Sequence, residues 1–482
     1  MTTIVKPKQS LARVGVARGD VTPPVGIYHR MWGAATHDRS TGVHRPLTAT
    51  VLSIAPDDVN ETTQRKLIVS LDHCLLWTVE MRTLLDRVAQ RANVDRDSIT
   101  VFFSHTHAAG LMGLERIELP GGDLIPQYLD DMASEVARLV RDAIAKSQPA
   151  AVGYGTGRCS LATNRDYFDV ERGGYVCGFN PDGVADDTVV VARITGDTGA
   201  TLATIVNYAC HPTTLAWDNT LISPDYVGAM REVVEQATAA PCFFIQGASG
   251  DIGPREGYVG DVAIADRNGR QLGYAALSAL EQLGPARQQF AYSGAVVSGA
   301  TIGTWQYQAE TDDELRRASA WSSAVCEVDL PYRDDLPRRD ELLADQRRWQ
   351  ADEQAALAAS DPARAREARA MAERATRRLV RVEHLDDGNA FPYRAELWRA
   401  GDAIWIPLNG EHYNVLQRGL RERFPDHTLI VGTLANGSNV WYLPNADSYG
   451  KGLYQEEASI LARGSLEKLT EALVETIQKL IA

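Results

Sequence analysis

The sequence predicts a mixed α/β fold in one large domain of 482 residues. Short apolar runs that end in polar or small residues alternate with segments whose apolar residues recur every three or four positions, as in strands that alternate with amphipathic helices. Hydrophobic residues make up 44% of the chain and charged residues 23%, which is typical of soluble globular proteins. Because no repeat or low-complexity linker divides the chain, we expect residues 1–482 to surround one mixed sheet.

Strands and helices alternate through the first 300 residues. The predicted strands are KLIVSLDHCLL, SITVFFSHTH, ATIVNYACHP and PCFFIQGASGD. The predicted helices are VEMRTLLDRVAQRANV, IPQYLDDMASEVARLVRDAIAKS and SPDYVGAMREVVEQAT. In the last helix, Ser223 and Pro224 are expected to form the N-cap and the first turn. Ligands bind beyond the carboxyl ends of strands in such sheets, so the polar residues that follow the strands are candidates for a site.

Residues 306–385 differ, since they are rich in Ala, Arg and Glu and have few β-branched residues after Leu330. We expect a helical hairpin insertion there, with a turn at Ser360–Pro362. A solvated insertion, a lid and an oligomer contact all remain open for it. From Phe391 onward the strand pattern returns, with two strands, a helix after Gly410-Glu411, and a further strand in HTLIVG.

The composition excludes several classes of function. A net charge of −14 argues against nucleic acid as a partner, because phosphate binding needs a basic surface. No apolar run is long enough for a membrane span, and the N-terminus has no apolar signal region, so we expect no stable membrane anchoring. The six cysteines lie far apart without a CxxC pair, which favours free thiols and a cytoplasmic location.

Three histidines at predicted strand ends could bind a metal. His105 and His107 are two positions apart, so both would point to one face if the strand continued through them. His211 precedes a proline that ends its strand and holds the imidazole at the tip. Each signal is weak alone, because an isolated HxH is usually incidental and His211 could be a turn histidine that bonds a carbonyl.

Further polar residues follow later strands. Asp251 lies on a glycine-rich turn after an apolar strand, where a ligand could reach it. Glu411 is at a strand-to-helix junction, where simple helix capping is the alternative. Tyr442 is on a polar loop and would be an uncommon ligand. His105, His211 and Glu411 together would satisfy a zinc site, which needs three or four N/O ligands and an open position.

These segments, in this order, resemble the neutral (non-lysosomal) ceramidase superfamily. The matching segments extend from about residue 12 to 460 and are ARGDVTPPVG, GVHRPLTATVLSI, SHTHAAG, ATNRDY, YACHPTT, SPDYVGAMR, FIQGASGDIGPR, IPLNGE and NGSNVWYLPNADSYGKGLYQEE. The resemblance implies a large α/β domain around a mixed sheet. It also implies a zinc ion held by His105, His211, Glu411 and Tyr442. His107 would then lie beside the reacting carbonyl, and Arg165 would be a further active-site residue.

The chain departs from the ceramidase pattern in three ways. Gly253 stands where the family has a serine that is proposed to be catalytic. We expect the catalytic domain alone, without a secretion signal or the family's C-terminal immunoglobulin-like domain. No segment has the amphipathic pattern of a membrane-facing surface. The resemblance therefore supports the metal site and the reaction class better than it supports ceramide as the substrate.

We hypothesise a zinc-dependent hydrolase in which a zinc-activated water cleaves an amide, ester or lactone bond of a soluble small molecule. His107 or Asp251 would move the proton, and Arg165 would hold an anionic or polar part of the substrate. The alternatives are metal-dependent phosphoester or glycoside chemistry, or a non-catalytic binding protein with a decayed site. The sequence leaves open whether the chain forms a homo-oligomer.

Overall fold

The computed structural model describes residues 3–57, 64–383, 385 and 388–482. Its strands are β1 (Ile4–Val5), β2 (Lys8–Asp20), β3 (Gly42–Val43), β4 (Thr48–Ala55), β5 (Lys66–Leu71), β6 (Ile99–Phe103), β7 (Gln148–Arg158), β8 (Ala162–Asn164), β9 (Asp166–Asp169), β10 (Gly174–Cys177), β11 (Thr188–Gly196), β12 (Thr201–Tyr208), β13 (Leu221–Ile222), β14 (Cys242–Gln246), β15 (Ile252–Pro254), β16 (Gln288–Ser298), β17 (Ala300–Ala309), β18 (Trp321–Pro331), β19 (Ala390–Ala400), β20 (Ala403–Pro407), β21 (Glu411–His412), β22 (Thr428–Gly432) and β23 (Tyr442–Leu443). Its helices are α1 (Thr78–Ala92), α2 (Ile125–Ala145), α3 (Tyr226–Thr238), α4 (Val262–Glu281), α5 (Asp312–Ala318), α6 (Arg339–Ala358), α7 (Pro362–Glu383), α8 (Asn414–Arg423), α9 (Tyr454–Ala458) and α10 (Ser465–Ile481). In the described part of the chain, no helix is both long enough and apolar enough to cross a membrane.

The predicted mixed α/β fold is confirmed. The large sheet has the strand order β14-β12-β11-β7-β2-β4-β5-β6, with parallel pairs at its two ends and antiparallel pairs between them. A smaller sheet has the order β18-β19-β20-β22. The four apolar runs predicted as strands form β5, β6, β12 and β14, and the three predicted helices form α1, α2 and α3.

The two sheets pack face to face. Phe102 and Phe243 of the large sheet share one apolar cluster with Trp398 and Trp405 of the small sheet. The next residues along the same strands point the other way, as the alternation of strand side chains requires, and helices cover them. Helices α1 and α2 cover part of the large sheet, α3 and α4 cover the rest, and α10 covers the small sheet. The layers are therefore helix, sheet, sheet and helix.

The large sheet curls so that its two ends approach each other. Ser70 Oγ on β5 donates a hydrogen bond of 2.8 Å to the carbonyl of Phe244 on β14, although β14 is the first strand of the order and β5 is the last but one. The small sheet reaches the same region, because the Asn207 amide donates to the carbonyl of Val431 on β22 at 2.8 Å. Residues that follow β6, β12 and β20 consequently converge.

Two sequence expectations need correction. The N-cap of α3 is Asp225, whose carboxylate accepts from the Tyr226 amide, because the helix begins later than the Ser-Pro pair. The predicted insertion 306–385 is helical only in α5 and in the hairpin of α6 and α7, and its residue 384 lies outside the described residues. Strand β18 lies within that range and pairs with β19 along its full length. Its alternating apolar residues, such as Ala324 and Val328, were obscured by the surrounding Ala, Arg and Glu.

Candidate metal and active site

Four side chains from separate segments meet at the convergent strand ends. His105 follows β6 and His211 follows β12. Glu411 begins β21 and Tyr442 begins β23, and these two short strands pair in parallel with Glu411 opposite Tyr442. All four side chains are buried. The structure therefore brings together the four residues predicted as metal ligands.

The donor atoms of this cluster lie at close range. His105 Nε2 is 3.0 Å from His211 Nε2 and 3.3 Å from Glu411 Oε2. His211 Nε2 is 3.1 Å from Glu411 Oε2 and 3.3 Å from the Tyr442 hydroxyl. A tetrahedral zinc ion with bonds of about 2.0–2.1 Å holds its ligands about 3.4 Å apart, so this spacing suits such an ion.

The other nitrogen of each ligand histidine is already committed. His105 Nδ1 donates to the Cys74 carbonyl at 2.8 Å, and His211 Nδ1 donates to the Ser249 carbonyl at 2.6 Å. These bonds aim both Nε2 atoms at a common point, as the outer hydrogen bonds of metal-ligating histidines do. Because each Nδ1 carries the ring proton, both Nε2 atoms of the neutral imidazoles are unprotonated and cannot hydrogen-bond each other. The point between them therefore requires a positive charge, either a proton or a cation.

The charge balance of the cluster supports this requirement. Burial lowers the pKa of His211 to about 3, assisted by Arg165, so His211 is neutral. Burial also opposes a charge on His105, but Cys74 and Glu411 outweigh it and raise the pKa of His105 to about 10. Burial raises the pKa of Glu411, yet the two histidines outweigh burial and leave that pKa well below its usual range. An ionised carboxylate thus faces a point that attracts either a proton or a metal ion.

His107 is next to this cluster and outside its donor set. Strand β6 ends at Phe103 and His105 has a φ of 66°, so the two histidines do not share a strand face as expected. Their ring centroids are nevertheless 4.9 Å apart. His107 Nε2 is buried and bonds no group in the described residues, and burial holds the pKa of His107 well below its usual value. A neutral imidazole with an uncommitted nitrogen is suited to proton transfer.

Arg165 joins the cluster through Tyr442. Its Nη2 donates to the Tyr442 hydroxyl at 3.0 Å and to the Gly250 carbonyl at 2.7 Å. The guanidinium also lies over the Tyr442 ring, 5.7 Å from its centroid. The observed contacts orient Tyr442, whereas the sequence predicted a substrate contact for Arg165. Its Nε is buried and has no partner among the described residues.

Asp251 is near the cluster without bonding any of its ligands. One carboxylate oxygen accepts from the Asn414 amide at 2.7 Å, at the start of α8, and the other accepts from the Asn164 side chain at 3.3 Å. Burial raises the pKa of Asp251 to about 7, against the effect of the Asn414 bond. The Asn414 bond holds the start of α8, which follows Glu411.

The sequence did not predict a group of three aromatic residues, one of which contacts His107. The Trp32 ring is 5.3 Å from the His107 ring, and Trp217 and Tyr258 meet Trp32 edge-on at 6.2 and 5.7 Å. They lie on loops, where no periodic pattern marks them. Trp32 Nε1 is buried and has no partner in the described residues, so this wall offers a hydrogen-bond donor.

Two other features need to be distinguished from this site. Cys74, His105 and His107 form a second group of closely spaced donors, but His105 Nδ1 there is already bonded to the Cys74 carbonyl. A cavity of about 610 Å³ lies between α1 and β19, and none of the predicted site residues lines it. The location of the site therefore depends on the donor geometry and not on cavity size.

The sequence pattern of the family described as neutral/alkaline non-lysosomal ceramidase, N-terminal, matches residues 13–261, just over half of the chain. The chain belongs to this family. The match includes His105, His107, Arg165, His211 and Asp251. Members of the family are hydrolases that act on amide C–N bonds, and this chain is such an enzyme. Family membership thus argues against the phosphoester, glycoside and non-catalytic alternatives.

Solved structures share the fold of this family member. The crystal structure of neutral ceramidase from Pseudomonas aeruginosa aligns with a TM-score of 0.63 at 15% identity, covering 98% of this chain and 74% of that one. A structure described as ceramidase complexed with C2 gives the same TM-score and identity, covering 98% of this chain and 75% of that one. At this identity the likeness establishes the fold alone. Among curated proteins, none matches the chain in sequence.

Proposed function

We propose that this ceramidase-family enzyme is a zinc-dependent amidase that hydrolyses a small N-acyl compound. The observation that supports it most directly is the pair of Nε2 atoms of His105 and His211, which face each other at 3.0 Å with the Glu411 carboxylate beside them. These three residues and Tyr442 would hold the ion. Neutral imidazole and carboxylate ligands suit zinc. A zinc ion supplies Lewis acidity and a water-derived nucleophile at neutral pH.

His107 is the proposed proton carrier. Its free Nε2 takes a proton from the attacking water as the water oxygen bonds to the amide carbon. The same nitrogen then gives that proton to the amide nitrogen as the C–N bond breaks, which releases a carboxylic acid and an amine. Asp251 is the weaker candidate, because both of its carboxylate oxygens already accept hydrogen bonds. The role proposed for Arg165 is to orient Tyr442.

The substrate and the location are parts of the same proposal. We favour a soluble small molecule over a nucleic acid, since the chain carries a net charge of −14. A cytoplasmic location is supported by the six cysteines, all of which lie in the described residues and are free thiols. The related structure is named for ceramide hydrolysis, so a lipid amide is the main competing substrate.

Substitution of the two neighbouring histidines separates metal binding from proton transfer. His105→Ala should lose the metal and the activity, because it removes a ligand. His107→Ala should retain about one zinc per chain while kcat falls by about 10²- to 10⁴-fold, as expected for loss of a general acid–base group. Metal content by plasma mass spectrometry and steady-state rates measure both effects.

His427→Ala is the matched control, since His427 is on the turn between α8 and β22 and none of its side-chain atoms bonds the cluster. It should retain both metal and rate. A wild-type enzyme that folds and hydrolyses amides without any metal would overturn the zinc proposal. A parallel panel of soluble N-acyl amides, a short-chain ceramide, esters and lactones then identifies the bond and the substrate class.

A further inference from the structure

The antiparallel ribbon of β16 and β17 differs in composition from the rest of the chain. Between Gln288 and Ala309 there is no Asp, Glu, Lys, Arg, His or Pro, although charged residues make up 23% of the whole chain. In their place the ribbon carries large apolar side chains that are exposed to solvent. They are Tyr292, Val296, Val297, Ile302, Trp305 and Tyr307.

Beyond its base at 288–291, most residues of the ribbon are exposed to solvent. Strand β1 pairs with β16 only at Ala291 and Phe290. Strand β17 is the last strand of this sheet, so its outer edge has no partner strand among the described residues. Nearly every residue of β17 is exposed. Contacts within the ribbon include the ring pairs of Trp305 with Phe290 at 5.7 Å and with Tyr292 at 5.6 Å. Beyond the short pairing with β1 the ribbon has two strands, and two-stranded ribbons are marginally stable in water, so an additional contact would stabilise this one.

The free edge of strand β19 carries residues that prevent pairing with another strand, and the edge of β17 does not. Strand β19 pairs with β20 only from Trp398 to Ala400, which leaves its earlier residues with an unpaired edge. That stretch carries Pro392, Arg394 and Glu396. Proline and charged residues are the usual means by which proteins prevent edge-to-edge pairing. Strand β17 has neither, as expected for an edge that is covered.

We propose that β17 pairs with β17 of a second copy of this chain, antiparallel across a two-fold axis, to form a homodimer. A two-fold interface uses the same surface on both subunits, and an antiparallel pair of identical strands satisfies that symmetry. Each subunit carries a net charge of −14, so two copies repel each other over most of their surfaces. The uncharged ribbon lets them approach without like charges lying opposite each other.

The composition of the ribbon favours a protein partner over a lipid surface. The ribbon has no Lys or Arg that could bind anionic headgroups. The exposed Gln306 and Gln308 alternate with Trp305 and Tyr307, which combines hydrogen-bonding groups with aromatic area. Enrichment in Trp and Tyr with depletion of charge is the pattern found in the cores of protein–protein interfaces.

Charge substitutions on the ribbon test the proposal. The wild-type chain should have twice the chain mass by light scattering or sedimentation, and Val297→Lys with Ile302→Lys should reduce it to the monomer mass. Val170→Lys is the matched control, because Val170 is 80% exposed on the turn between β9 and β10, and Val297 is 82% exposed near the end of β16. This control should remain dimeric. A monomeric wild type, or a double variant that stays dimeric, would overturn the proposal.

Two further measurements cover the other outcomes. Amide hydrogen exchange of the wild-type enzyme, which does not depend on any variant folding, should show protection of residues 300–309 that rises with protein concentration. Protection that is independent of concentration contradicts pairing between copies. Flotation with phosphatidylcholine vesicles tests the lipid alternative, and a monomer that floats with vesicles and loses that property in the double variant would replace the dimer with a membrane contact.

Discussion

At the scale of single residues, one backbone angle separates the roles of two histidines. The φ of 66° at His105 turns the chain sharply after β6. This conformation costs about 1–3 kcal/mol for a residue other than glycine. It is held by bonds from the His105 amide to the His73 carbonyl at 2.9 Å and from Nδ1 to the Cys74 carbonyl at 2.8 Å. The turn directs His105 into the donor cluster and leaves His107 beside Trp32.

Gly253→Ser should be tolerated, although Gly253 is buried close to the site. A Cβ there would meet Arg165 Cδ and Thr213 Oγ1 at 3.7 Å, which are ordinary contacts. We expect the free energy of unfolding in urea to fall by no more than about 1 kcal/mol, the typical size for a point substitution.

Gly250→Ser is the control for this substitution. Its Cβ would lie 2.7 Å from the Glu411 carbonyl oxygen and 2.9 Å from that of His412, which are backbone atoms that cannot easily move. We expect a loss of about 1–3 kcal/mol and weaker metal binding. Equal losses in the two serine variants would contradict the packing described around Gly253.

At the scale of elements, the α6–α7 hairpin positions the loop that carries Trp32. Helix α7 contacts this loop through Arg369, which donates to Asp38 at 3.1 Å, and through Arg377, which donates to the Met31 carbonyl. Glu373 on the same helix face is buried and accepts from Arg116 at 2.5 Å and from Arg377 at 3.1 Å. The hairpin therefore stabilises the aromatic wall beside His107.

Glu373→Ala should destabilise the enzyme by about 3–5 kcal/mol, because it leaves the buried Arg116 without its partner on α7. Glu367→Ala is the control on the same helix, since Glu367 is exposed and pairs with the exposed Arg364. That variant should change stability by less than about 0.5 kcal/mol. Urea unfolding measures both, and comparable losses in the two variants would show that α7 is not anchored through Glu373.

At the scale of the whole molecule, buried neutral histidines connect stability to pH. Burial lowers the pKa of His29 and of His73 to about 4, and that of His412 to about 3. An unfolded histidine binds a proton near pH 6.5, whereas these folded ones do not. The unfolded state therefore binds more protons between pH 6.5 and 4, so stability falls as the pH is lowered through this range.

His29→Gln should flatten that dependence. His29 contributes up to about 3 kcal/mol of the loss between pH 6.5 and 4, because burial lowers its pKa from 6.5 to about 4. The variant should show a shallower fall in the free energy of unfolding with decreasing pH, measured by urea titration at several pH values. Parallel curves for the wild type and the variant would mean that His29 is not the buried neutral group described.

The sequence by itself determined which residues end strands and which segments form helices. Apolar runs placed His105 and His211 after strands, and the periodic Ala-rich segments placed α6 and α7. It could not show β18, because the helical composition around that strand obscured its alternation. It also could not show that the Asp251 carboxylate bonds the start of α8, because a strand end indicates where a side chain lies and not where it points.

Only the tertiary structure decided that these residues meet. His105 follows an edge strand of the large sheet, His211 follows a strand near the opposite edge, and Glu411 and Tyr442 follow strands of the small sheet. The strand order keeps these segments apart, and the curling of the large sheet against the small one brings them together. Curling arises from the twist of many strands and from packing between sheets, which are contacts between distant parts of the chain. A local pattern cannot contain that information.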